Sequence, residues 1–130
     1  MSGRRGKSGG RGYSRSDRVG ETLREIIAEE LVRIDDERLS FVTITAIDVD
    51  PELNRAIVFY DSLMGEDGDS EILRALGEHR VRLQSSIGRQ IRAKKTPVLD
   101  FRPDAAIRSA ERIDEILRAD RERAVGPDDG

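Results

Sequence analysis

Residues 71–102 read EILRALGEHRVRLQSSIGRQIRAKKTPVLDFR, and the spacing of their apolar side chains decides the architecture. Ile72, Leu73, Leu76, Leu83, Ile87 and Ile91 recur at helical intervals, so 71–93 is expected to be a long amphipathic segment lying on a core. Arg80 falls inside that stripe. A straight helix would carry its guanidinium into an aliphatic interior, costing several kcal/mol of a total stability of only about 5–15 kcal/mol. A break near 77–81 is therefore expected, dividing the segment into two helices. Thr96-Pro97 stops the second one, because the proline ring disfavours helical backbone in the residue before it. Val98-Leu99-Asp100-Phe101-Arg102 then reads as a short strand ahead of Pro103.

Upstream, MGEDGDS at 64–70 is a turn-rich loop whose Asp69 or Ser70 is placed to cap the helix that follows. Before it lie two alternating β-branched runs, Phe41 to Val49 and Ala56 to Leu63, joined by Asp50-Pro51-Glu52-Leu53-Asn54. These predict an antiparallel hairpin. Val19, Leu23, Ile26, Ile27, Leu31 and Ile34 give a first helix over about 17–35, with Glu21, Glu25, Glu29 and Glu30 mostly on its other faces. Downstream, Ile107, Ala110, Ile113, Ile116 and Leu117 fit a last helix. The order α-β-β-α-α-β-α makes an α+β protein, a three-stranded sheet with helices on one face. The domain is expected over 17–118, between a disordered Gly/Ser/Arg tail at 1–16 and a disordered acidic tail at 119–130.

Composition narrows the chemistry. Among 130 residues 33 are Leu, Ile, Val or Phe, enough for a folded core, while aromatics are only 4% and charged residues 38%. The absence of Cys removes disulfides and thiolate nucleophiles, and the single His79 removes two-histidine metal sites, so no cofactor, no metal and no enzyme activity are expected. No apolar run is long enough for a membrane span or a signal peptide, which places the protein in the cytoplasm. GRRGKS at 3–8 lacks the first glycine of a phosphate loop, Gly65-Glu66-Asp67-Gly68 carries two carboxylates where an RNA backbone would lie, and Asp67, Asp69 and Glu71 lack the calcium-loop spacing.

The net charge of −3 hides a strong segregation. Residues 1–16 hold five basic side chains and no acid, 17–78 hold six basic against 17 acidic, and 79–102 hold seven basic against Asp100 alone. On the second half of the long helix, Arg82, Arg89 and Arg92 share the side opposite Leu83, Ile87 and Ile91, with no acidic residue within that half. Lys94 and Lys95 extend this patch at the helix end, and Arg80 stands at the expected break. A rigid row of guanidinium groups suits phosphate contacts, so Arg80, Arg82, Arg89, Arg92, Lys94 and Lys95 are the candidate RNA-binding residues. Gly9-Gly10-Arg11-Gly12-Tyr13 is a weaker Arg-Gly signal of the same kind. The competing reading is a small interaction module that docks a basic partner through its acidic face.

Several strings in this order carry a family resemblance. Arg18-Val19, Val42-Thr43-Ile44-Thr45, Ala56-Ile57-Val58, Pro97-Val98-Leu99-Asp100-Phe101 with Asp104, and Ala110-Glu111-Arg112-Ile113 with Ile116-Leu117 resemble bacterial ribosome-binding factor A over about 16–118. The resemblance implies a KH-like fold of the α-β-β-α-α-β type and a C-terminal helix. It also implies a non-enzymatic factor that binds the immature small ribosomal subunit and its rRNA and assists rRNA maturation, including in the cold. An assembly GTPase is expected as a further partner, and the protein is expected to be a monomer. In that family the break between the helices carries an Ala-x-Gly string, whereas the equivalent position here reads His79-Arg80-Val81.

Overall fold

The helical segment is broken where the sequence requires it. In the computed structural model, which describes residues 15–91 and 95–125, α2 spans Asp69–Glu78 and α3 spans Arg80–Gln90. They are separated by His79 at φ −97°, ψ 8°. Before them come α1 (Arg15–Arg33), a single 3-10 turn (Glu37–Leu39), β1 (Val42–Val49), β2 (Arg55–Ser62) and a second 3-10 turn (Gly65–Gly68). After them come β3 (Val98–Pro103) and α4 (Ala105–Val125). The expectations for the stretches 1–14, 92–94 and 126–130 lie outside the described residues.

The sheet has the order β1-β2-β3. β1 and β2 form the expected antiparallel hairpin, with a bulge at Thr45 between the Ile44 and Ala46 pairings. β3 runs parallel to β2, pairing Ala56 with Leu99 and Val58 with Phe101, as the intervening α2-α3 crossover allows. Ala56, Val58 and Tyr60 are buried while Ile57 and Phe59 are only half-buried, so the helices cover one face. The aliphatic core joins Leu23, Ile26 and Ile27 of α1, Ile72 and Leu76 of α2, Leu83 and Ile87 of α3, and Leu99 of β3. Ile87 is fully buried. At Gly20, α1 comes so close to β1 that an added Cβ would lie 3.2 Å from the Ile47 carbonyl oxygen.

Four expectations are corrected. Leu73, placed on the stripe by its spacing, lies 37% exposed, because the core takes only Ile72, Ala75 and Leu76 from α2. Asp69 does not cap α2. It is the first residue of that helix, and its carboxylate instead accepts from Tyr60 Oη (2.8 Å) and from Arg108 Nη1 and Nη2 (2.9 and 3.1 Å). The last helix extends well past 118, through the first part of the stretch expected to be disordered, because Ala, Arg and Glu are strong helix formers and Arg123 pairs with Asp120 one turn back. Its face of Ile113, Ile116 and Leu117 is half-exposed rather than packed.

What holds α4 to the domain is polar. Asp104 caps it by accepting the Ile107 N–H (3.1 Å), and Thr45 Oγ1 donates to the other carboxylate oxygen of Asp104 (2.6 Å). Arg108, buried to 7% exposure, donates Nε to Asp61 of β2 (2.6 Å) and its two Nη atoms to Asp69, with its guanidinium 5.8 Å from the centre of the Tyr60 ring. One cation thus ties β2, α2 and α4 together. Arg108→Met should cost about 3 kcal/mol in chemical denaturation, since it leaves two carboxylates facing each other with no counter-charge. A loss below about 0.5 kcal/mol, the usual range for surface changes, would show that the cluster does not hold the fold.

Candidate nucleic-acid interface

α3 meets the rest of the molecule over a wider face than its aliphatic stripe. Ser86 is buried beside Leu83 and Ile87, which turns the helix toward α1, and there it faces Glu30. Glu30, grouped by its spacing with glutamates mostly off the apolar face, is 5% exposed and accepts from Arg82 Nε (2.7 Å), Ser86 Oγ (3.2 Å) and Arg33 Nη1 (3.2 Å). The hydrogen bond from Arg82 outweighs the burial that pushes this carboxyl up, and holds it below its ordinary range.

The expectation that Arg82 is unneutralised is thus corrected: Glu30 pairs with it. Nothing within its own helix pairs with it, but Glu30 reaches it from 52 residues away. Its side chain remains 47% exposed, so the outer guanidinium nitrogens stay at the surface. Arg89 shares its side of the helix and is exposed, with no ion-pair partner among the described residues. Arg80, at the break, is exposed and lies 6.0 Å over the Phe101 ring. At the start of α3 this side chain clears the aliphatic interior and rests over an aromatic ring. Lys95 is exposed and donates to Asn54 Oδ1, so it belongs to the hairpin-tip end of the domain. From Arg80 to Arg89, nine residues at 1.5 Å each set these cations about 13 Å apart along the axis. Arg92 and Lys94 lie outside the described residues.

Two features of this region escape a reading of the sequence. Gln84 lies between α3 and the outer edge of β3, donating Nε2 to the Pro97 carbonyl (3.2 Å) and accepting the Leu99 N–H on Oε1 (3.3 Å). His79, which the sequence marks only as part of the break, places Nε2 2.8 Å from Asp36 Oδ2. Hydrogen bonds from Arg38 and then from His79 hold the Asp36 carboxyl well below the usual carboxylate range. Among the described residues no group of His, Asp and Glu is placed to hold a metal ion, and no helix is long and apolar enough to cross a membrane.

Comparison with known proteins bears on this geometry. The family model of ribosome-binding factor A matches residues 15–117. The chain belongs to the ribosome-binding factor A family. A family member from Azoarcus sp. (strain BH72) is 37% identical over 107 residues, covering 81% of this chain and 84% of the relative. The crystal structure of ribosome-binding factor A from Thermus thermophilus superposes with a TM-score of 0.62 at 27% identity, over 70% of this chain and 97% of that one. A Thermus thermophilus ribosome-binding factor A model fitted into a cryo-EM map of its complex with 30S matches with a TM-score of 0.58 at 28% identity, over 69% and 96%. The α-β-β-α-α-β core is accordingly the KH-like arrangement of ribosome-binding factor A.

Arg82 and Arg89 should separate in stability. Arg82→Ala should lower the melting temperature by several degrees by removing the main partner of a buried carboxylate, whereas Arg89→Ala should leave it unchanged. The depressed carboxyls of Glu30 and Asp36 contribute stability that is present above the unfolded-state value of about 4 and lost as pH falls through their lower folded values. The melting temperature of the wild type should therefore hold level from pH 7 to about 5 and decline below about 4. Equal melting temperatures for the two variants would remove Glu30 as an anchor.

Proposed function

We propose that this protein is a cytoplasmic, non-enzymatic assembly factor that binds the immature small ribosomal subunit through its rRNA and assists rRNA maturation. The observation that carries the reading is the outer side of α3. Arg89 stands there exposed beside Arg82, and Arg80, on the other side of the helix at its first residue, is exposed over Phe101; neither Arg80 nor Arg89 has a carboxylate partner among the described residues, while the Leu83 and Ile87 side is closed into the core. Family membership and the fitted complex of the Thermus relative with 30S support the same partner. The working set is Arg80 and Arg89 as phosphate contacts, with Arg82 contributing its outer nitrogens while bound to Glu30. Arg92, Lys94 and Lys95 add charge toward the helix end. Arg4, Arg5, Lys7 and Arg11 add attraction by charge, and Arg15 adds to it from the first residue of α1. The acidic surface spread over 17–78 turns away from a polyanion and so orients the encounter.

The test is the salt dependence of binding to deproteinised small-subunit rRNA. Removing one phosphate contact reduces the slope of log K against log salt by about 0.7–0.9. Arg80→Ala and Arg89→Ala should each produce a reduction of that size, and Arg82→Ala a smaller one. Glu21, Glu25 and Glu29 changed together to Ala should raise affinity without altering the effect of the arginine variants on the slope. If both arginine variants keep the wild-type slope, α3 is only a solvated surface and docking of a basic partner on the acidic face becomes the better reading.

A further inference from the structure

The 3-10 turn between α1 and β1 packs against α2 at its end, beside the break. Asp36 caps this turn through the Arg38 N–H (3.0 Å) and also accepts Arg38 Nε (2.9 Å) and Nη2 (2.7 Å). The same Nη2 donates to Glu78 Oε1 (2.6 Å), and His79 Nε2 donates to Asp36 Oδ2 (2.8 Å). Asp36 and Arg38 from the turn therefore close a ring with Glu78, the last residue of α2, and His79, the residue of the break.

The ring opposes a specific alternative. If α2 and α3 were one helix, Glu78 and Arg82 would stand four residues apart in the favourable orientation for an ion pair on a continuous helix. Here Arg38 takes Glu78, Arg82 turns to Glu30, and the chain at His79 leaves helical geometry. The carboxylate closest in sequence to the exposed arginines is thus already bound by the turn. No glycine stands at the break, so its shape depends on side chains that hold it from outside.

We propose that His79 is a positioning residue for RNA binding: its bond to Asp36 locks the turn onto the break and fixes where Arg80 and Arg82 stand. The proposal rests on α3 being the RNA-facing helix. His79 makes no phosphate contact in this scheme. Its replacement leaves the number of contacts unchanged and adds an ordering cost to each binding event.

Binding to deproteinised small-subunit rRNA is measured against salt at one fixed pH, with melting followed by circular dichroism. His79→Leu should weaken binding about 3–10-fold at every salt concentration with an unchanged slope, since counterion release follows the number of phosphates neutralised and not their alignment. His79→Gln, which offers a neutral N–H at similar reach, should restore affinity to within about twofold. Arg38→Met opens the ring from the turn and should behave as His79→Leu does, which serves if His79→Leu fails to melt cooperatively. Wild-type affinity in both ring-opening variants, failure of His79→Gln to rescue, or a slope reduction equal to that of Arg80→Ala would each overturn the positioning role. If Arg80→Ala and Arg89→Ala themselves keep the wild-type slope, it is the assignment of α3 as the RNA-facing helix that fails.

Discussion

A guanidinium cannot enter an aliphatic core unpaired, and Arg80 is where this chain meets that limit. The helix ends two residues earlier, at Glu78, and the break at His79 sends α3 off in a new direction. That direction brings Ser86 and Arg82 onto α1, where Glu30 holds them, and lays Gln84 along β3. Arg80 itself comes to rest over Phe101. Had this residue been leucine, one long helix would satisfy the same apolar spacing, and the contacts between α3, α1 and β3 would have no cause.

The elements were legible because each is written in local spacing. The break, the hairpin and the α-β-β-α-α-β order follow from Arg80, from alternation in VTITAIDV and RAIVFYDS, and from Pro97. What spacing cannot show is a partner distant in sequence. Arg82 looks unopposed when only its own helix is searched, and Glu30, which opposes it, sits on a different element. Asp69 has the right letter and place for a cap, yet Tyr60 and Arg108 compete for its carboxylate and win. The stripe of Ile113, Ile116 and Leu117 has helical period, but period alone does not say whether a face is covered.

Two buried charges organise opposite ends of the domain. Glu30 joins α1 to α3, and Arg108 joins β2, α2 and α4. Aliphatic contacts tolerate sliding and repacking, whereas a carboxylate with three donors accepts only one relative placement of the helices. The core supplies most of the stabilisation here, and these two clusters select which packing of the core is realised. That selection also fixes where the cations of α3 stand relative to α1 and β3.

The amide of Gln84 carries a donor and an acceptor at the spacing of a peptide group, and it occupies the outward-facing carbonyl of Pro97 and N–H of Leu99. On that side the sheet meets a side chain that behaves as the first link of a fourth strand and cannot be extended. At the other margin the bulge at Thr45 interrupts the regular ladder of β1. Neither margin is a good template for another chain, which matters for a molecule with few aromatic residues and many β-branched ones. A protein so protected can be abundant in a crowded cell without its sheets joining edge to edge.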